Sequence, residues 1–211
     1  MKQPITQTPY RRELKDKILQ TAFREFTAKG VKAVRMDDIA ELLSISKRTL
    51  YEIYGTKEAL LLEMVKQHED QLDNHMRTFM AEHPRNVMEI LLEFLKLQMK
   101  ELDNTNINFY EEIHKYKSVI DFLQTKHDRR NDYSRTFFRE GIKEGYFRDD
   151  IDYDIVRVLG SNAMEKIMRT QLYKKYSLKR IYKNLVFLYL RGFCTIKGIT
   201  ILDEQLLNQF H

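Results

Sequence analysis

Apolar residues recur three and four positions apart along almost the whole chain, and little interrupts them: 7 glycines and 3 prolines are spread over 211 residues. At about 3.6 residues per turn, that spacing gathers the apolar side chains of a segment into one stripe of an α-helix. A sandwich or barrel of short strands needs turn residues every ~8–12 positions, and this chain lacks them. The expected fold class is all-α, in one large domain or two small ones at roughly 100–200 residues each. The single cysteine excludes an intramolecular disulfide, and Met1 to Arg12 holds no apolar run of the secretory kind. A reduced, cytoplasmic protein is expected.

Leu14, Ile18, Ala22 and Phe26 fall four apart with Leu19 and Phe23 beside them, which predicts a helix from about Arg11 to Lys29, closed by Lys29-Gly30. Met36, Ile39, Ala40 and Leu43 give a short second helix whose first turn holds Asp37 and Asp38, where the helix dipole favours negative charge. Ser46 offers an N-cap oxygen to a third helix, Lys47 to about Tyr54, with Leu50 and Ile53 inward. Gly55-Thr56 stops that helix and caps a long fourth one running to His83-Pro84. Met88, Leu91, Leu92, Leu95, Met99 and Leu102 make the next, closed by Asp103-Asn104-Thr105-Asn106, and a short helix lies near Ile107 to Lys115. Ser118 is expected to cap a long helix ending at Glu144-Gly145. Asp152 and Ser177 open the last two, Tyr153 to about Tyr176 and Leu178 to about Lys197.

Residues 1–57 hold 12 Lys and Arg against 7 Asp and Glu, whereas residues 58–211 hold 24 of each, so the net charge of +5 belongs to the N-terminal segment. Such an asymmetry suits a polyanion, either nucleic acid or an anionic membrane surface. Two short helices joined by a tight turn behind a longer helix form the layout of a helix-turn-helix unit. Leu19, Phe23, Phe26, Ile39 and Leu43 bury together, and Leu50 and Ile53 dock the third helix across them. The polar side left outward presents Lys47, Arg48, Thr49, Tyr51 and Tyr54, donors suited to phosphates and base edges in a major groove. Membrane binding through this segment would not require a third helix.

Asp38-Ile39-Ala40, followed by Ser46-Lys47-Arg48-Thr49-Leu50-Tyr51-Glu52-Ile53-Tyr54-Gly55-Thr56-Lys57-Glu58-Ala59-Leu60, resembles the N-terminal signature of TetR-family transcriptional regulators, D-I-A and then V-S-K-x-T-L-Y-x-x-F-x-S-K-E-x-L. The match spans roughly residues 11–62. Arg139-Glu140-Gly141 and Lys143-Glu144-Gly145-Tyr146-Phe147-Arg148-Asp149-Asp150 resemble a segment before that family's penultimate helix. Ser44 stands where the family has Gly, Arg35 where it has a capping Ser or Thr, and Tyr54 where it has Phe. The resemblance implies an N-terminal arm and helix-turn-helix domain over residues 1–57 and a helical effector-binding and dimerisation domain over 58–211. It also implies a homodimer on a palindromic operator in double-stranded DNA, most simply a repressor released by a small organic effector. An activator or an effector-independent regulator is the alternative. Tyr51 and Lys57 fall on positions that contact operator phosphates, and the expected DNA-contact set is Arg35, Ser46, Lys47, Arg48, Thr49, Tyr51, Tyr54, Thr56 and Lys57.

In the body, polar tips among apolar walls suit an organic ligand, and the expected cavity residues are Phe94, Gln98, Phe109, Tyr110, His114, Tyr116, Phe122 and Phe138. The stretch Leu185 to Ile196 is apolar nearly all round, but a membrane span would set Arg191 near its middle at a cost of about 2.5–3.5 kcal/mol. The apolar girth points instead to burial against a second copy, through Gly160, Ala163, Ile167, Leu185, Leu188, Gly192 and Ile196. Two such heads must sit about 34–36 Å apart to meet successive major grooves. Glu111 and His114 share a helical face at the spacing used by di-iron bundles, which need a second such pair. The sequence has none. A helical metal-dependent enzyme is therefore the weaker alternative, and no catalytic residue, metal or cofactor is expected.

Overall fold

The computed structural model describes residues 9–82 and 85–207. The expected helix break at His83-Pro84 and the residues ahead of position 9 lie outside them. The described residues form α1 (Pro9–Lys29), α2 (Met36–Leu42), α3 (Lys47–Tyr54), α4 (Lys57–Glu82), α5 (Val87–Asn104), α6 (Ile107–Ile113), α7 (Lys117–Lys143) and α8 (Tyr153–Arg169). A 3-10 turn (Leu172–Lys174), α9 (Leu178–Phe193) and α10 (Ile196–Leu207) complete the described residues. The fold is all-α, and β pairing among the described residues is limited to one isolated antiparallel bridge, Phe147 to Cys194.

The helix starts follow from short polar side chains that take up backbone N–H groups left without intrahelical acceptors. Ser46 Oγ accepts from the Thr49 N–H at 3.0 Å and Thr56 Oγ1 from that of Ala59 at 3.1 Å. Asp152 Oδ1 accepts from Asp154 and Ile155 at 3.0 and 3.2 Å, and Ser177 Oγ from Arg180 at 3.3 Å.

Three expectations about helix ends are corrected. Ser118 does not cap α7: the helix begins one residue earlier, the Tyr116 carbonyl accepts from Val119 and Ile120 at 3.1 Å, and the Ser118 hydroxyl donates to Glu58 Oε1 at 2.6 Å. The helix opened by Asp152 ends at Arg169 rather than near Tyr176, because Gln171 takes a left-handed conformation (φ 53°) that breaks the ladder. The last expected helix, to about Lys197, stops at Phe193, Cys194 is extended (φ −80°, ψ 147°), and a further helix that the sequence reading did not place, α10, begins at Ile196. That break is tied to the turn after α7. Arg148 N–H donates to the Phe193 carbonyl at 2.9 Å, Thr195 N–H donates to that of Tyr146 at 2.9 Å, and the Thr195 hydroxyl donates to that of Gly145 at 2.8 Å. Gly198 lets the two segments close, since a Cβ there would lie 2.5 Å from the Tyr146 carbonyl oxygen.

The chain packs as two compact units. One holds the residues up to Leu72 together with Thr105–Leu123, and the other holds Asp73–Asn104 and the residues from Gln124 on. The division expected at residue 57 is one of roles, whereas packing divides the chain in this interleaved way. In the first unit Ile18, Ala22, Phe26, Ile39, Leu50, Leu60 and Leu61 are fully buried beside Phe109, Ile113 and Val119. The second is built on Val87, Met88, Leu95, Leu190 and Leu202 with a ring cluster in which Phe138 stacks on Tyr153 at 4.3 Å and Phe147 meets Phe193 edge-on at 5.3 Å.

Candidate DNA-binding surface

Ile39 and Ala40 on the inner side of α2, and Leu50 on that of α3, share one core with Phe26 and leave almost no apolar surface of their own exposed. Between the two helices the chain turns in four residues. Ser44 N–H donates to the Glu41 carbonyl at 3.0 Å and Ile45 N–H to that of Ala40 at 3.0 Å, with Ser44 at φ +53°. This is the position where the family pattern has glycine, and the left-handed geometry that glycine accommodates without strain is present with a serine in it. A helix anchored by one buried leucine, one N-cap and such a turn has a fixed orientation, so its outward side chains are displayed from a rigid element.

Those side chains are held by carboxylates. Lys47 pairs with Asp37 across the turn, and Arg48 Nε donates to Glu52 Oε1 at 2.8 Å one turn on. Both cations are exposed, and such surface pairs are worth about 0–1 kcal/mol, so either head can exchange its carboxylate for a phosphate at little cost. Ser46 Oγ lies 2.8 Å from Thr49 Oγ1, while Thr56 is spent on capping α4. Arg35 precedes α2 as its N-cap residue; its own N–H donates to Asp38 Oδ2 at 2.7 Å, which is how this chain replaces half of a missing Ser or Thr cap. Tyr51 is 46% exposed, whereas Tyr54 is half-buried against the core. Burial pushes the Tyr54 hydroxyl well above the ordinary tyrosine range, with Glu63 and Asp16 adding to it.

Lys57 opens α4, with its ammonium 5.9 Å from the centre of the Phe26 ring. Burial pulls its pKa down, while Glu112 and Asp38 favour the charged form. A phosphate at the same place would add to these two, beside the positive end of the α4 dipole.

Behind the head stands α6, which sequence reasoning placed but did not connect to it. Asn106 N–H donates to the Thr27 carbonyl at 2.7 Å, and Glu112 Oε2 accepts from the Lys32 N–H at 2.5 Å. Gly30 is required here twice over, by its φ of +88° and because a Cβ would lie 2.8 Å from that of Asn108. These partners are some 80 residues apart in sequence, and no local signal announces them. Glu52, by contrast, was legible as the residue four beyond Arg48.

The residues expected to line an effector cavity are distributed over both units. Phe109 is buried in the first, where Tyr110, Tyr116 and Phe122 pack on the core and His114 is exposed at the end of α6. Phe94 and Gln98 are half-buried on α5 in the second, and Phe138 belongs to its ring cluster. The expected interface residues lie on α8, α9 and the start of α10: Gly160, Ala163, Ile167 and Leu185 are half-buried and Gly192 is exposed, as are Leu188 (72%) and Ile196 (84%). On α8 the sequence reading omitted Ile155, Val158 and Leu159, all exposed, and no residue of that helix is buried. Glu111 and His114 have no metal-binding company: among the described residues, no group of three or more His, Cys, Asp or Glu side chains could hold an ion.

An N-terminal helix-turn-helix with its polar side outward, followed by a helical body, defines a class: the DNA-binding transcriptional regulators. Residues 18–64 match the family model described as bacterial regulatory proteins, tetR family. That match covers the helix-turn-helix head and the start of α4 and supports a regulator of the TetR type. It is similar to the transcriptional repressor KstR2 of Mycolicibacterium smegmatis, at 25% identity over 67% of this chain and 71% of that one. It is also similar to the transcriptional regulator QacR of Staphylococcus aureus, at 28% identity over 74% and 84%. In fold it resembles a transcriptional regulator from Saccharomonospora viridis solved in complex with choline (TM-score 0.69, 21% identity, 87% of this chain and 99% of that one).

Proposed function

We propose that this protein is a homodimeric transcriptional repressor that binds a palindromic operator through α3 and the start of α4 and leaves it when a small organic effector binds the body. The observation that carries the reading is α3 itself: a short helix locked by Leu50 and Ser46 whose exposed side offers Lys47, Arg48 and Tyr51. Arg48 suits a guanine edge through its two-pronged head, while Lys47, Tyr51 and Lys57 suit phosphates. Ser46, Thr49, Thr56 and Arg35 border them, and Tyr54 contributes mainly by fixing the helix.

The repressor role is supported by relatives named as a repressor and as a negative transcriptional regulator. An organic effector is supported by the fold neighbour that holds choline. Dimerisation is supported by the exposed aliphatic residues of α8 and α9, an arrangement that a second copy would cover. No described helix is long and apolar enough to cross a membrane, in keeping with a cytoplasmic site of action. Selection of bound duplexes from a random pool, with and without candidate effectors, tests the proposal. An inverted-repeat consensus whose capture falls with one effector is expected, and recovery of no consensus by the folded protein overturns it.

A further inference from the structure

The equal charge count of residues 58–211 conceals a polarity. From Lys166 to Leu202 the chain carries nine Lys and Arg and no Asp or Glu, and the rest of that stretch holds the compensating negative charge. Seven of the nine lie between Lys166 and Lys183, around the corner made by the end of α8, the 3-10 turn and the start of α9. Lys166, Arg169, Lys174, Lys175, Lys179 and Arg180 are all exposed. Of these six, only Lys179 has an ion-pair partner among the described residues, Asp103 at 2.7 Å.

The fold explains two of them. Lys166 and Arg169 occupy the last turn of α8, where cations complement the helix dipole. Lys179 and Arg180 do the opposite: they sit in the first turn of α9, at the positive end of its dipole, with no acidic residue in that turn and with Ser177 already capping the backbone. Asp103 answers only one of the two, and an external anion would answer the other. Tyr176 stands between Lys175 and Arg180, whose heads lie 5.4 and 5.1 Å from its ring centre. The ring props both cations outward, and basic residues interleaved with an aromatic suit a phosphate backbone.

A lipid surface is the less fitting polyanion. An interfacial helix inserts apolar side chains among the lipids, yet in this corner Ile167, Leu172 and Leu178 are half-buried and Ile181 is buried. We propose that the corner from Lys166 to Lys183 is a second DNA-binding surface, which grips the phosphates of double-stranded DNA without regard to sequence and is separate from the helix-turn-helix head. Each subunit then has two places to hold duplex, one that selects and one that only attaches. The inference does not depend on which sequence the head reads.

The test uses the full chain with Lys47→Ala, Arg48→Ala and Lys57→Ala, titrated against a labelled random-sequence duplex over a salt series. Salt-dependent binding is expected to persist. Adding Lys174→Gln, Lys175→Gln, Lys179→Gln and Arg180→Gln should then lower the slope of log affinity against log salt by about 3–4, at roughly 0.9 per phosphate contact. The same four changes placed in the otherwise unaltered chain should weaken random duplex while leaving the selected consensus unchanged, which separates this surface from the head. Circular dichroism and sedimentation matching the parent confirm that the variants are folded. The proposal is overturned if the triple variant, folded, ignores duplex at low salt, or if the four glutamines leave the slope where it was. Capture of the triple variant by phosphatidylserine vesicles in preference to duplex overturns it as well.

Discussion

The helix-turn-helix head and the α8–α9 region solve opposite problems. In the head, α3 is only 8 residues long yet places Leu50 completely out of solvent and turns its polar side outward. In the other region, α8 is 17 residues long and buries none of them, and aliphatic side chains of α8 and α9 stand in solvent. One element is complete within its own chain and offers chemistry to a partner. The other offers apolar surface, which is incomplete until something covers it. A recognition element must be rigid before it meets its target, whereas an association surface gains its energy from the desolvation that meeting brings.

Leu50→Ala should break the comparison from the side of the head. It removes a fully buried anchor, so a loss of about 2–5 kcal/mol is expected in denaturant unfolding, with operator binding lost in parallel. A stable variant with normal DNA affinity would mean that the docking of α3 is not what holds the surface. Leu188→Glu attacks the other region. Monomer stability should move by no more than about 0.5 kcal/mol, as usual for exposed positions, while sedimentation should show dimer dissociating at concentrations at least ~10-fold higher, about 1.4 kcal/mol per tenfold. An unchanged dissociation constant would place the interface elsewhere.

Smaller effects sharpen the account of the head. Ser46→Ala should cost about 1 kcal/mol through the lost N-cap, read as a lower unfolding midpoint. Ser44→Gly should act in the other direction, raising stability by up to about 1 kcal/mol by relieving the left-handed serine; a decrease would mean that the serine earns its place through another contact. The smallest effect concerns acid. Glu25 is buried on α1 beside Lys29 at 2.6 Å and Arg24 at 3.2 Å, and the Lys29 bond above all holds its carboxyl below the usual range. A carboxyl lowered in the folded state contributes stability above its unfolded value of 4.5 and loses it as the pH falls through the folded value. Since both cations are solvent-exposed, the contribution is no more than about 1 kcal/mol. Glu25→Gln should flatten the acid limb of the stability curve by lowering stability at pH 7 by up to that amount while leaving pH 3 almost unaffected, which unfolding at pH 3 and pH 7 would measure.

Local chemistry made much of this legible. Ser46, Thr56, Asp152 and Ser177 cap the helices that the sequence assigns to them, since an N-cap bond reaches only two or three residues along the chain. Where an end depends on distant partners, the sequence reading failed. The chain leaves the helix at Cys194 because the Phe193 carbonyl and the Thr195 N–H are taken by Arg148 and Tyr146, about 50 residues upstream. Nothing in the apolar run marks that interruption. Ser118 resembles a cap but spends its hydroxyl on Glu58 instead. The charge sum misled in a similar way, because counting over a long segment cancelled the basic corner against acidic residues elsewhere.

The amino-acid sequence alone determined that the chain is helical, where most helices begin, and that a helix-turn-helix with a basic, aromatic recognition face stands near its start. All of these depend on interactions within a few residues, where spacing and side-chain type are sufficient. Tertiary structure decided that Asp37 pairs with Lys47, that α6 buttresses the Gly30 turn, that α9 stops at Phe193 with Cys194 extended, and that α8 keeps its aliphatic residues outside. Those outcomes require residues remote in sequence to compete for the same hydrogen bond or the same buried volume, and that competition is resolved only when the whole chain is packed.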